Sequence, residues 1–327
     1  MLEHGGRLLR AARQFGIAPE QWLDLSTGVS PWPWPVPALP ASAWQRLPED
    51  EDGLREAAQS YYGAAQLLPV AGSQAAIQAL PQLRARSRVG IIAPGYNEHA
   101  HAWRRAGHDV VLAAADVLRA AVDDFDVLVL IHPNNPGGDR FAGEHLLDLR
   151  ARLARRGGWL VVDEAFIDAT PENSLCAHAG IDGLVVLRSI GKFFGMAGAR
   201  AGFVFAVHDL LDTLRERLGP WALSGPSRWA VRQALVDRAW QAQARPRLLA
   251  ASNQLGALLG AQGLPPQGGS AFFQWCVHAD APALNAALAQ RAILTRLFDT
   301  PASLRFGLPP DPAGFRRLEI ALREILQ

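Results

Sequence analysis

Between about residue 70 and residue 206, short aliphatic and β-branched runs alternate with stretches whose apolar positions recur at helical spacing. The runs Val89–Ala93, Asp109–Ala113, Val127–Ile131, Trp159–Asp163, Leu184–Arg188 and Gly202–Ala206 read as strands. Ser73–Leu83, Glu98–Ala106 and Glu144–Arg156 read as the helices between them. Strands apolar on both faces and separated by helices predict a mostly parallel sheet with right-handed crossovers. From residue 207 the texture changes. A helical stretch with few breakers runs from about Arg228 to Gly260. A strand (Ala271–Val277), a helix (Pro282–Arg291), a strand near Ser303–Leu308 and a final helix follow. The class is therefore α/β. We expect a large domain over residues 30–207. Residues 208–327 form a smaller α/β domain, and residues 1–29, helical from about Arg7 to Phe15, pack on it. The stretch Pro31-Trp32-Pro33-Trp34-Pro35-Val36-Pro37 cannot be helical. Its tryptophans call for burial, so it reads as an ordered crossing segment.

Composition narrows the function. A net charge of +1 gives no bias toward nucleic acid or an acidic membrane, and no apolar run is long enough to span a bilayer. The first residues lack the pattern of a secretory signal. Cys176 and Cys276 are too few for a disulfide framework and are expected to be reduced and buried. These features predict a cytoplasmic protein. Lys plus Arg totals 32, of which Lys192 is the only lysine. Arginine serves where a positive charge is enough, but not where a deprotonatable amine must attack a carbonyl. The surviving lysine is therefore a candidate nucleophile.

Its surroundings sharpen that expectation. In Arg188-Ser189-Ile190-Gly191-Lys192, a strand ends and the lysine follows in a glycine-containing turn, with Arg200 eight residues on. An aldehyde cofactor bearing a phosphate needs an amine, a hydroxyl and a cation, which Lys192, Ser189 and Arg200 can supply. Asp163 closes another apolar strand, where a carboxylate can pair with a protonated pyridine nitrogen. Its neighbour Glu164 reads as a cap or an ion-pair partner. His132-Pro133-Asn134-Asn135-Pro136-Gly137-Gly138 is a tight turn that aims Asn135, a candidate donor to a phenolic oxygen, at a strand tip. Gly72-Ser73-Gln74 opens a helix and presents free N–H groups to a phosphate. Tyr96, after Pro94-Gly95, can stack on a pyridine ring. His99 and His101 lie two apart and so on different faces of a helix, which argues against a metal.

Together these segments resemble fold type I of the pyridoxal-phosphate enzymes, the aspartate-aminotransferase superfamily, over nearly the whole chain and in the same motif order. The chain looks most like the branch holding histidinol-phosphate aminotransferases and L-threonine-O-3-phosphate decarboxylases. The opening His4-Gly5-Gly6, the stretch Asp163-Glu164-Ala165-Phe166-Ile167-Asp168, and Leu294-Thr295-Arg296 with Leu304-Arg305-Phe306-Gly307 are similar to the decarboxylases. The resemblance implies a seven-stranded, mostly parallel sheet, pyridoxal 5'-phosphate on Lys192, and a homodimer. It also implies decarboxylation of a phosphorylated amino acid, L-threonine O-3-phosphate, in cobalamin biosynthesis. By the same resemblance, His4 and Gly5 lie over the substrate phosphate, Arg296 helps bind it, and Arg305 binds the carboxylate. Phe166 also fits the decarboxylases, since aminotransferase relatives usually carry tyrosine there, and it leaves Asn135 to serve the phenolic oxygen. Two departures stand out. Asparagines common near Gly28 and Ser30 are absent. Leu47 stands where a tyrosine often reaches the neighbouring subunit. A histidinol-phosphate-type aminotransferase and a catalytically silent binding or sensing protein are the alternatives, since fold alone proves no activity.

Overall fold

The structure is a computed structural model and describes residues 4–326. Its central sheet has seven strands. In spatial order they are Leu68–Val70, Gly202–Phe205, Leu184–Ser189, Trp159–Asp163, Val127–Ile131, Arg88–Ile92 and Asp109–Ala113. Gly202–Phe205 runs antiparallel to both of its neighbours, while the other pairings are parallel. Val127–Ile131 and Leu184–Ser189 are buried along their whole length. That burial matches their unbroken apolar runs, because helices cover both faces of the sheet. The seventh strand, Leu68–Val70, escaped the periodicity reading. It has three residues and contains Pro69, which a sheet tolerates at an edge.

The C-terminal part carries a four-stranded antiparallel sheet ordered Arg296–Asp299, Ala302–Gly307, Phe273–Val277 and Gly268–Ser270. The strand expected from Ala271 starts at Phe273, because Ala271 and Phe272 turn the chain back from Gly268–Ser270. The single helix expected from Arg228 to Gly260 is two, Gly225–Val236 and Arg238–Ala261. Asp237 breaks it by leaving helical backbone and accepting from the Trp240 N–H, which caps the second helix. The Trp34 indole donates to the same carboxylate at 3.0 Å, tying the proline-rich segment to this junction. The helix expected over Ser73–Leu83 is α-helical only to Ala79, and Pro81 lies in the 3-10 turn that continues it.

Residues Leu8–Phe15 form a helix whose Ala11 and Ala12 pack with Trp22, Ala289 and Ala292. Leu23–Asp24 pairs in parallel with Ile293–Leu294. This pairing carries the N-terminal segment across the C-terminal part and back toward the sheet. Among the described residues, no helix is long and apolar enough to cross a membrane.

Candidate active site

Open α/β sheets bind ligands where their strands end. Here the loops after Arg88–Ile92, Val127–Ile131, Trp159–Asp163 and Leu184–Ser189 surround a cavity of about 390 Å³. Tyr96, Asn135, Asp163, Ser189 and Lys192 reach it from those strand ends. Gly72, Ser73 and Gln74 reach it from a helix start, Arg200 from the rim, Arg296 and Arg305 from the antiparallel sheet, and His4 and Gly5 from the N-terminal segment. The structure thus brings every candidate site residue to one cavity. The lining also includes Thr27, Gly28, Phe166 and Phe298.

Lys192 follows the strand Leu184–Ser189, and its backbone carbonyl is held by the Ser30 N–H at 2.9 Å. Burial, reinforced by the charges of Arg305 and Arg200 and opposed by Asp163, lowers its amine to about 8 from an ordinary 10.5. Its nitrogen lies 5.6 Å from the centroid of the Phe166 ring. An amine in this state can be neutral, and so nucleophilic, near neutral pH.

Asp163 is buried and firmly oriented. One carboxylate oxygen accepts from the Ala165 N–H at 3.0 Å, and the other lies 2.9 Å from Nε2 of the buried His99. His99 reads in the sequence as a possible metal ligand, a reading that its two-residue spacing from His101 argues against. What it does is hold the carboxylate. Its signal was faint, a histidine one helical turn after Tyr96, with a partner 64 residues away. Glu164 points the other way. It forms a buried ion pair with Arg188, which also pairs with Asp168, and this knot lies outside the cavity.

An anion cradle forms where the helix Ser73–Ala79 begins. Gly72 has φ +74°, and the Arg200 guanidinium occupies the space where its side chain would be. Gly202 lies opposite Ser189 in the sheet, and a Cβ there would stand 2.7 Å from the Ser73 amide nitrogen. Only a glycine lets the helix start come so close to the strand. The cradle offers helix N–H groups, the Ser73 and Ser189 hydroxyls and the Arg200 guanidinium, a donor set that fits a phosphate. With Lys192 and Asp163 alongside, the set fits a phosphorylated pyridine aldehyde.

The other wall of the cavity is cationic. Arg296 and Arg305 face each other across neighbouring strands. Arg305 is buried. Its Nη1 donates to Asn135 Oδ1 at 2.6 Å and its Nη2 to the Ser26 carbonyl at 2.8 Å. Its Nε has no partner among the described residues. Burial, and then the charge of Arg296, pull it down to about 10. Because Arg305 takes the Asn135 carbonyl oxygen, the amide nitrogen of that side chain remains to donate to a ligand. The Tyr96 hydroxyl donates to Gln74 Oε1 at 3.1 Å, and burial pushes it up to about 12. Phe166 packs edge-on against Phe273, and a Cβ at Gly28 would stand 2.9 Å from the Phe166 ring. Leu47 is exposed, away from this cavity.

The chain is similar to known proteins in sequence and in fold. The profile of the family "Aminotransferase class I and II" matches residues 47–318. A threonine-phosphate decarboxylase of Pseudomonas aeruginosa is 56% identical over 322 residues, 98% of this chain and 97% of that protein. A threonine-phosphate decarboxylase of a Sinorhizobium species is 43% identical, covering 98% of this chain and 97% of its own length. Among solved structures, the histidinol-phosphate aminotransferase of Sinorhizobium meliloti, in complex with pyridoxal-5'-phosphate, superposes with a TM-score of 0.81. It is 19% identical and covers 100% of this chain and 98% of its own, a likeness of fold.

Proposed function

Starting from a chain that belongs to the class I and II aminotransferase family, we propose that it is a pyridoxal-phosphate enzyme that decarboxylates L-threonine O-3-phosphate to (R)-1-amino-2-propanol O-2-phosphate. The observation that carries the choice of substrate is Arg305. It is a buried guanidinium turned to the cavity, has Arg296 beside it, and is paired with no carboxylate among the described residues. A buried cation of this kind is costly unless an anion completes it. Two arginines beside an anion cradle suit a substrate with two anionic groups.

Pyridoxal phosphate, when bound, supplies an electron sink for the substrate Cα. Lys192 would hold its aldehyde, and its amine, lowered by burial, could move a proton at the substrate Cα. Asp163, fixed by His99 and the Ala165 N–H, would pair with the pyridine nitrogen and keep it protonated. Gly72, Ser73, Gln74, Ser189 and Arg200 would hold the phosphate, Tyr96 would pack on the ring, and Asn135 would donate to the phenolic oxygen. Arg305 would bind the substrate carboxylate and so fix the orientation of the substrate in the cavity. Arg296, His4 and Gly5 bind the substrate phosphate. Phe166 adds an apolar wall beside Lys192, which excludes water from the reacting carbon. The same reading includes a homodimer. Trp44 and Trp221 stand 71% and 59% exposed around an apolar groove that Met196 and Ala199 of the Lys192–Arg200 loop also line.

A product assay tests the reading. Cofactor-loaded protein given L-threonine O-3-phosphate without any keto acid should release carbon dioxide and aminopropanol phosphate over many turnovers. No carbon dioxide, with turnover of histidinol phosphate once 2-oxoglutarate is added, would replace it with an aminotransferase.

A further inference from the structure

The contact between His4 and Glu98 is the wall between two cavities. On its inner side lies the cavity that holds Lys192. On its outer side lies a groove of about 860 Å³ that Arg7, His101 and Arg105 also line, and His4 itself borders both. Glu98 sits in the first turn of the helix Asn97–Arg105. Both of its carboxylate oxygens are engaged. Oε1 accepts from His4 Nε2 at 2.8 Å, and Oε2 accepts from the side-chain amides of Gln74 at 2.9 Å and Gln78 at 3.2 Å. Gln74 in turn accepts from the Tyr96 hydroxyl. One carboxylate therefore ties the N-terminal segment to the helix start of the anion cradle and to the aromatic ring beside it.

We propose that Glu98 is a positioning residue for recognition of the substrate phosphate, acting through His4. A carboxylate only accepts, so the His4 proton facing it sits on Nε2, and Nδ1 is the ring nitrogen left to meet a phosphate oxygen. Without Glu98 the imidazole loses its tautomer and its place across the cavity mouth, and Gln74 loses the acceptor that orients its amide. This role deepens the decarboxylase reading and rests on it, because it takes His4 as a contact to the substrate phosphate.

The test uses cofactor-loaded enzyme, L-threonine O-3-phosphate as substrate and inorganic phosphate as a competing probe. Glu98→Ala should raise KM about tenfold and weaken inhibition by phosphate to the same degree, with kcat held within about threefold. Glu98→Asp should recover most of the loss. Glu98→Gln, isosteric and so the variant of choice if the alanine protein fails to fold, should raise KM about fivefold. In a His4→Ala background, Glu98→Ala should add less than about twofold to KM, the remainder that the Gln74 and Gln78 contacts carry without His4. An unchanged KM, a fall in kcat at constant KM, or a tenfold effect that persists without His4 would overturn the role. If the wild-type enzyme leaves L-threonine O-3-phosphate intact, yet Glu98→Ala still weakens binding of inorganic phosphate, the substrate reading falls and the role of Glu98 stands.

Discussion

The cavity has two halves of different build. Asp163, Ser189 and Lys192 stand on or just beyond buried strands, where main-chain ladders and a packed core fix them. His4, Arg296 and Arg305 come from a terminal segment and a second sheet, and they touch the first half through side chains, Arg305 at Asn135 and His4 at Glu98. His4 keeps 42% of its side chain exposed. The first half offers an amine, a carboxylate and an anion cradle, the parts any member of the family needs to hold the cofactor. The second half offers cations, which the proposed function assigns to the substrate's own anions. The shared chemistry thus sits on the seven-stranded sheet, and the second half rests on a separate sheet and the terminal segment, with only His4 half-exposed.

The hardest break of this division is Lys192→Ala, which should lower turnover on the order of 10⁴-fold, since no other lysine can replace the amine. The related Lys192→Met separates chemistry from stability. In the folded protein the amine is lowered to about 8 from 10.5, so between those pH values the unfolded chain binds more protons than the folded one. The penalty is therefore complete below about pH 8 and fades as pH rises to 10.5. Lys192→Met should stabilise cofactor-free protein by something on the order of 3 kcal/mol below pH 8 and by little above 10.5. Denaturant titration of both proteins at pH 7 and pH 10.5 checks this, and equal differences at the two values would refute it.

On the substrate side, Arg305→Lys should raise KM for L-threonine O-3-phosphate about 100-fold, since a point charge cannot reproduce the guanidinium fork. Cofactor affinity, followed by absorbance, should change little, and a loss of cofactor would blur the two halves. His99→Gln should cost about tenfold in kcat with KM nearly constant, because Asp163 stays in place but loses its ring partner. Phe166→Tyr is the mildest change. With the Asn135 amide already assigned as donor, an added hydroxyl should alter kcat by no more than about threefold. A gain in transamination at the expense of carbon dioxide release would move reaction choice into the sheet-borne half.

The two halves were unequally legible. Val127–Ile131 and Trp159–Asp163 keep the boundaries read from the sequence, because burial on both faces leaves an apolar run with sharp edges. Asp109–Ala113 keeps them too, although it is a half-exposed edge strand. The break at Asp237 was invisible, since the residues around it are helix formers and its partner Trp34 lies 203 residues away. The lone lysine and the strand-end aspartate announced themselves through residue type and position. Their supports did not. His99 and Glu98 read locally as a charged helix face, and only the fold brings His99 under Asp163 and Glu98 under His4. Arg296 and Arg305 are two arginines among many in the chain. Periodicity could not show that they pair across strands, and only family resemblance singled them out.

The single lysine also governs how this molecule can be handled. A reagent that couples to side-chain amines meets one target, at the floor of the cavity. Bifunctional amine cross-linkers have no lysine on the outer surface with which to join two copies, so self-association has to be read by sedimentation or light scattering. Borohydride reduction of the loaded protein would place one chromophore at one known position. It would turn the active site into a built-in label and leave the rest of the surface unmodified.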